Sequence, residues 1–101
     1  MRLLLINPNT SVDMTARMVA TAGAVLAPDV ELVAVTAARG MPYIASRAEA
    51  LVAGALTLEI IAEHQADADA VIIAAFGDPG LIAARELFDL PITGMAEAAI
   101  L

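Results

Sequence analysis

Two short stretches of this chain combine residue types that could bind or act on a small molecule. The first is Asn7-Pro8-Asn9-Thr10-Ser11, which offers side-chain amides, hydroxyls and a helix start whose free N–H groups favour an anion. The second is Phe76-Gly77-Asp78-Pro79-Gly80, where two glycines let the backbone approach a ligand closely and Asp78 adds a carboxylate. Each also has a plain structural reading. Asn-Pro-Asn-Thr-Ser is a good turn on composition alone, and Asp78 is first of all a helix cap. Tyr43, the single tyrosine, can line a pocket or cover the core. His64 falls near a helix C-terminus, where partial negative charge suits it, and reads as structural. Neither G-x-G-x-x-G nor G-x-x-x-x-G-K-S/T occurs, so there is no phosphate-binding glycine fingerprint. With no cysteine, disulfides, thiolate metal sites and thiol nucleophiles are excluded for these residues. Neither a metal nor a cofactor is expected.

The elements that position these stretches follow from hydrophobic pattern. Residues 3–6 form an apolar run closed by Asn-Pro-Asn and read as a buried strand. Thr10 or Ser11 caps a helix, with Asp13 three residues after Thr10 in the capping-box relation. Met14, Met18, Ala22 and Val25 recur at helical spacing as its core side, and the helix ends before Pro28. Residues 30–35 are rich in β-branched side chains and read as a second strand, and residues 37–46 as a loop. A second helix is predicted over 47–65, with Leu51, Ala55, Leu58 and Ala62 on one face and Glu49, Glu59 and Glu63 toward solvent. Residues 71–75 form a third strand. Asp78-Pro79 reads as a helix start, since Asp caps and Pro is preorganised at the first position. That helix runs to Leu87, residues 91–93 are a short fourth strand, and residues 95–101 open another helix. The predicted fold class is α/β: a parallel four-stranded sheet with helices on both faces and right-handed crossovers, in a single domain over 1–101. In such a sheet ligands bind at the carboxyl ends of the strands, so both stretches should face one small ligand.

Composition narrows the function classes. The chain is 60% apolar, above the roughly 45–50% of a typical soluble domain, with one Tyr and two Phe. Aliphatic runs of this kind suit strands covered on both faces. They also leave apolar surface for a partner, so a homo-oligomer is expected from a domain this small. Twelve acids against five bases give a net charge of −7, and a nucleic-acid backbone would be repelled. Charges interrupt every apolar stretch before the roughly 18 residues that argue a membrane span. Met1-Arg2-Leu3-Leu4-Leu5-Ile6 is too short for a signal-peptide core and lacks a small-residue cleavage site, so a cytoplasmic location is the expectation.

Leu5-Ile6-Asn7-Pro8-Asn9-Thr10-Ser11 with Met14 resembles the N-terminal signature of hydantoin and allantoin racemases, within the Asp/Glu/hydantoin racemase superfamily. Val71, Ile73 and Ala74-Ala75-Phe76-Gly77-Asp78-Pro79-Gly80-Leu81 resemble their first catalytic segment. Ala83-Ala84-Arg85-Glu86-Leu87, Pro91-Ile92-Thr93-Gly94 and Glu97-Ala98-Ala99 continue the match in order and spacing, so that it covers nearly the whole chain.

The resemblance implies a longer protein of two similar α/β lobes with the active site between them. Each lobe supplies one cysteine at a strand end. One thiolate removes a proton from the stereocentre and the opposite thiol returns one, because inversion needs proton transfer on opposite faces. Helix N-termini and a polar pocket help to lower the thiol pKa. This sequence departs at Ala75, which stands at the first catalytic cysteine's position, and a second lobe is not within these residues. Residues 1–101 are thus expected to be one lobe, the N-terminal one, associating with a second lobe or another copy. A methyl group exchanges no proton, so the chain alone is expected to be inactive. The implied substrate is a small carboxylate or cyclic ureide such as a 5-substituted hydantoin or allantoin. The Gly-Asp-Pro-Gly loop leans toward that subgroup over aspartate or glutamate racemases. Asn9, Thr10, Ser11, Phe76, Gly77 and Asp78 are the implied substrate-binding residues. Two alternatives stay open. One is a lobe of an enzyme similar to arylmalonate decarboxylases, with a single cysteine in the second lobe and Ala75 on the pocket wall. The other is a non-catalytic α/β module that binds a small ligand or dimerises through residues 95–101.

Overall fold

The two apolar runs become the inner strands of a sheet. The computed structural model describes residues 1–100. It contains β1 (Arg2–Asn7), α1 (Val12–Gly23), β2 (Glu31–Thr36), α2 (Arg47–His64), β3 (Ala70–Ile73), α3 (Leu81–Leu87), β4 (Ile92–Gly94) and α4 (Met95–Ile100). A 3-10 turn over Gln65–Asp67 extends α2. The strand order is β2-β1-β3-β4 and every pairing is parallel. This is the α/β class read from the sequence.

Topology decides which helix covers which face. The step from β1 to β2 runs one way across the sheet, and the steps to β3 and β4 run the other way. Right-handed crossovers therefore place α1 on one face and α2 with α3 on the other. Strand alternation agrees. Leu4, Ile6, Val71, Ile73 and Ile92 join Leu56, Ile60, Ile61, Leu81 and Ala84 from α2 and α3 in one buried core. Leu3, Leu5 and Ile72 point to the opposite face, where one full helix, α1, is too narrow to cover them all. An open trough is left beside it.

Three expectations need correction. The buried side of α2 is Ala53, Gly54, Leu56, Thr57, Ile60 and Ile61. Leu51, Ala55 and Ala62 are exposed and Leu58 is half-buried. The helix is apolar on almost every side, so spacing alone could not choose a face. A polar residue, Thr57, takes a core position by donating its hydroxyl hydrogen to the Ala53 carbonyl at 2.9 Å. Next, α1 stops at Gly23, with turns following it. Met14, Met18 and Ala22 are half-buried along the trough, and Val25 is 82% exposed. Finally, α3 starts at Leu81 behind Gly80, so Asp78-Pro79 stands outside it.

Candidate functional site

The first strand end is built on a closed polar network. The Asn7 side chain is fully buried and donates through Nδ2 to Thr15 Oγ1 at 2.9 Å and to the Ser11 carbonyl at 3.1 Å. Its Oδ1 accepts from the Asn9 N–H at 3.2 Å. Thr15 and Thr36 hydroxyls lie 2.7 Å apart, joining the start of α1 to the end of β2. Ser11 is the α1 cap and accepts from the Met14 N–H at 3.2 Å. Buried polar groups must be paired, and this set ties three elements together in doing so.

Asn9 is held differently. Its Oδ1 accepts from the Ser11 N–H at 2.8 Å, which turns Nδ2 the other way. There Nδ2 meets Met14 Sδ at 3.5 Å, a weak acceptor. A side-chain amide has two N–H groups, so this residue, 4% exposed, keeps a donor for a ligand oxygen. Its neighbour Thr10 donates its backbone N–H to the Met41 carbonyl at 3.0 Å. That bond draws the loop after β2, with Tyr43 and Ile44, over the same strand end.

The second strand end continues β3 by one bond, from the Ala74 N–H to the Ile6 carbonyl at 2.8 Å. The chain then turns sharply through left-handed residues Gly77, Asp78 (φ 51°) and Gly80. Asp78 is a cap, but of a different helix from the one its sequence position suggests. Its two carboxylate oxygens accept from the Ala96 and Glu97 N–H groups at 2.8 Å each, at the start of α4. Arg85 reinforces the same corner. Its guanidinium donates to both Glu97 oxygens at 2.6 Å and to the Ile92 carbonyl at 2.8 and 3.1 Å. That hydrogen bonding holds the Glu97 carboxyl below the ordinary glutamate range, and the Thr93 hydroxyl adds to it.

Both strand ends open into the trough, which has a volume of about 860 Å³. Asn9, Ala75 and Phe76 line it, together with Met14, Tyr43, Ile44 and Met95. Its floor is Leu3, Leu5 and Ile72, and α1 contributes Arg17, Met18 and Thr21. Thr10, Ser11, Gly77 and Asp78 are not among the lining residues; Ser11 and Asp78 spend their side-chain oxygens on helix caps. Tyr43 lines the cavity, and His64 closes α2, lining a separate small hollow near Arg2. Ile44 and Met95 went unnoticed in the sequence, since nothing local marks a loop isoleucine or a helix-opening methionine. Among the described residues no group of three or more His, Cys, Asp or Glu could hold a metal ion. None of the described helices is long and apolar enough to cross a membrane.

The model of the family described as Asp/Glu/Hydantoin racemase matches residues 3–101. The chain belongs to this family. Among its relatives, the hydantoin racemase of Paenarthrobacter aurescens is 44% identical over 99% of this chain and 43% of its own length. Two solved structures share the backbone. The allantoin racemase from Klebsiella pneumoniae superposes with a TM-score of 0.93 at 46% identity, over 99% of this chain and 41% of the other. The allantoin racemase from Pseudomonas fluorescens gives 0.92 at 30% identity, over 98% of this chain and 42% of the other. The chain thus spans 41–43% of the length of these three family members.

Proposed function

We propose that this chain forms one wall of a racemase-type site for cyclic ureides, the hydantoin and allantoin class, and that this wall binds substrate without exchanging a proton. The observation that carries the reading is the meeting of Asn9 and Ala75 in one cavity at the carboxyl ends of β1 and β3. Asn9 offers a preoriented N–H donor for a ring carbonyl. Ala75 stands where the family resemblance puts the first acid–base thiol, and a methyl group neither accepts nor returns a proton. The Phe76-Gly77-Asp78 turn shapes the wall, with Asp78 and Ser11 as positioning residues and Thr10 fixing the covering loop. Residues 1–101 act as one lobe in this reading. The family's two-cysteine exchange would need a thiol at 75 and an opposite wall from a second lobe or an associated copy. The coverage of about 41–43% of the relatives supports such a complement.

Titration of the chain with hydantoin and allantoin, followed by amide NMR, tests the reading. Shifts are expected at Asn9, Ala75 and Phe76, with no deuterium uptake at the ligand's C5 beyond the buffer rate. The absence of shifts at these amides at millimolar ligand sinks the ureide assignment. C5 exchange catalysed by the chain sinks the proposed inactivity.

A further inference from the structure

We propose that Met14 is a positioning residue for the Asn9 donor. Its thioether sulfur closes a ring of three hydrogen bonds that fixes the Asn9 amide and leaves one N–H for the oxygen of a bound ligand. This inference rests on the ureide reading above and deepens it.

The ring passes through Asn9, Ser11 and Met14 in turn. Asn9 Oδ1 accepts from the Ser11 N–H at 2.8 Å, Ser11 Oγ accepts from the Met14 N–H at 3.2 Å, and Met14 Sδ accepts from Asn9 Nδ2 at 3.5 Å. The first two bonds build the start of α1. The last adds nothing to the helix cap and instead ties the helix back to Asn9. Met14 is the third residue of α1, behind the Ser11 cap. In a capping box that position carries Glu or Gln, which reaches back to the N–H of the cap residue itself. Here Asn9 Oδ1 already holds that N–H, so a strong acceptor at position 14 would compete with Asn9 for it. A thioether is too weak an acceptor to compete, yet long and adaptable enough to reach the amide. Asn9 is 4% exposed, so the N–H turned toward Met14 has little water to fall back on without the sulfur. Held at Oδ1 and at one N–H, the planar amide cannot swivel, and its second N–H keeps a single direction. A donor fixed before the ligand arrives loses less freedom on binding. Met14 also lines the cavity as apolar surface, and a residue with that role alone would have no need of its sulfur.

Two altered proteins test this. In one, norleucine replaces all five methionines, exchanging each sulfur for a methylene at nearly constant shape. The other is Met14→Leu, which assigns the effect to one position. NMR follows the Asn9 side-chain N–H pair, first without ligand and then during titration with hydantoin. In both proteins one proton of the ligand-free pair is expected to shift and to exchange faster with water. Hydantoin should then bind roughly two- to tenfold more weakly, the net worth of one hydrogen bond. An Asn9 pair unmoved in the folded norleucine protein overturns the inference, and so does a shift there that Met14→Leu fails to reproduce. A shifted pair with hydantoin affinity unchanged also overturns it, because the donor is then not the one the ligand uses, and the ureide reading still stands. Failure of hydantoin to shift Asn9 and Ala75 in the unaltered chain overturns the ureide reading, while the ligand-free Asn9 signals still decide whether Met14 holds the amide.

Discussion

Asp78 and Gly94 interlock: a Cβ added to Gly94 would fall inside the Asp78 carboxylate. The glycine at the end of β4 is the space through which Asp78 reaches the first amides of α4. A loop that follows β3 is fastened in this way to the corner that follows β4, and the strand end carrying Ala75 is fastened with it.

Replacing Gly94 with Ala should destabilise the fold by about 1–3 kcal/mol, the usual cost of forcing atoms into a filled space. Asp78→Ala should cost roughly 0.5–2 kcal/mol through the lost cap. The double variant should be less destabilised than the sum, because the clash disappears with the carboxylate. Urea unfolding of the four proteins measures this, and strict additivity would contradict the interlock.

Two loop glycines should behave differently. Gly77 and Gly80 both have positive φ, but a Cβ at Gly77 meets open space while one at Gly80 would lie 2.8 Å from the Gly54 carbonyl oxygen. Gly77→Ala is expected to cost about 1–2 kcal/mol for conformation alone. Gly80→Ala should cost a further 1–3 kcal/mol or so from the collision with α2. Thermal unfolding ranks them, and an equal loss would mean that α2 yields.

The Arg85–Glu97 pair sets a pH dependence. The folded-state Glu97 carboxyl lies below its ordinary value through Arg85. Its stabilisation is therefore present above the unfolded glutamate range, near 4.3, and is lost as pH falls through the depressed folded value. Glu97→Gln should flatten that acid limb and leave the slope between neutral pH and about pH 6 unchanged. Stability–pH curves of both proteins at low and high salt check it, and unchanged acid limbs would remove the pair from consideration.

The corrected orientation of α2 is testable by two substitutions. Ile61→Ala, in the core, should cost about 2–5 kcal/mol. Leu51→Lys, on the exposed side, should change stability by no more than about 0.5 kcal/mol. The reverse ranking in denaturant would restore the face suggested by spacing.

What the sequence made legible was whatever depends on neighbours in the chain. Residues 3–6 and 71–75 read as buried strands because no polar residue interrupts them, although the third strand ends at Ile73, and both strand-end loops were found by their turn residues. Ser11 acts as the α1 cap, one of the two residues the sequence offered, as Ser does with a free N–H three residues ahead. What stayed hidden depends on distance in space. Asp78 carries the chemistry of a cap, yet which helix it caps is settled by β3 and β4 lying side by side. The α2 face was unreadable because its apolar residues encircle the helix, so the choice fell to Gly54, whose missing side chain lets Gly80 approach. Met14 and Met18 kept the spacing of a core stripe while lining a cavity, since spacing reports a shared side and not what covers it. Ile44 lies at the site on the loop that the Thr10–Met41 bond ties to the β1 end.

The inward turn of Asp78 also shapes the field that a ligand meets. Among the described residues the trough's lining holds no acidic side chain, and Arg17 is its one formally charged member. In a chain of net charge −7, the cavity is thus a local gap in an otherwise repulsive potential. An anion approaching the trough is slowed by the molecule as a whole but not opposed at its destination. Raising ionic strength screens the first effect over a Debye length of about 8–10 Å, so it should speed association of the anion more than that of its neutral form.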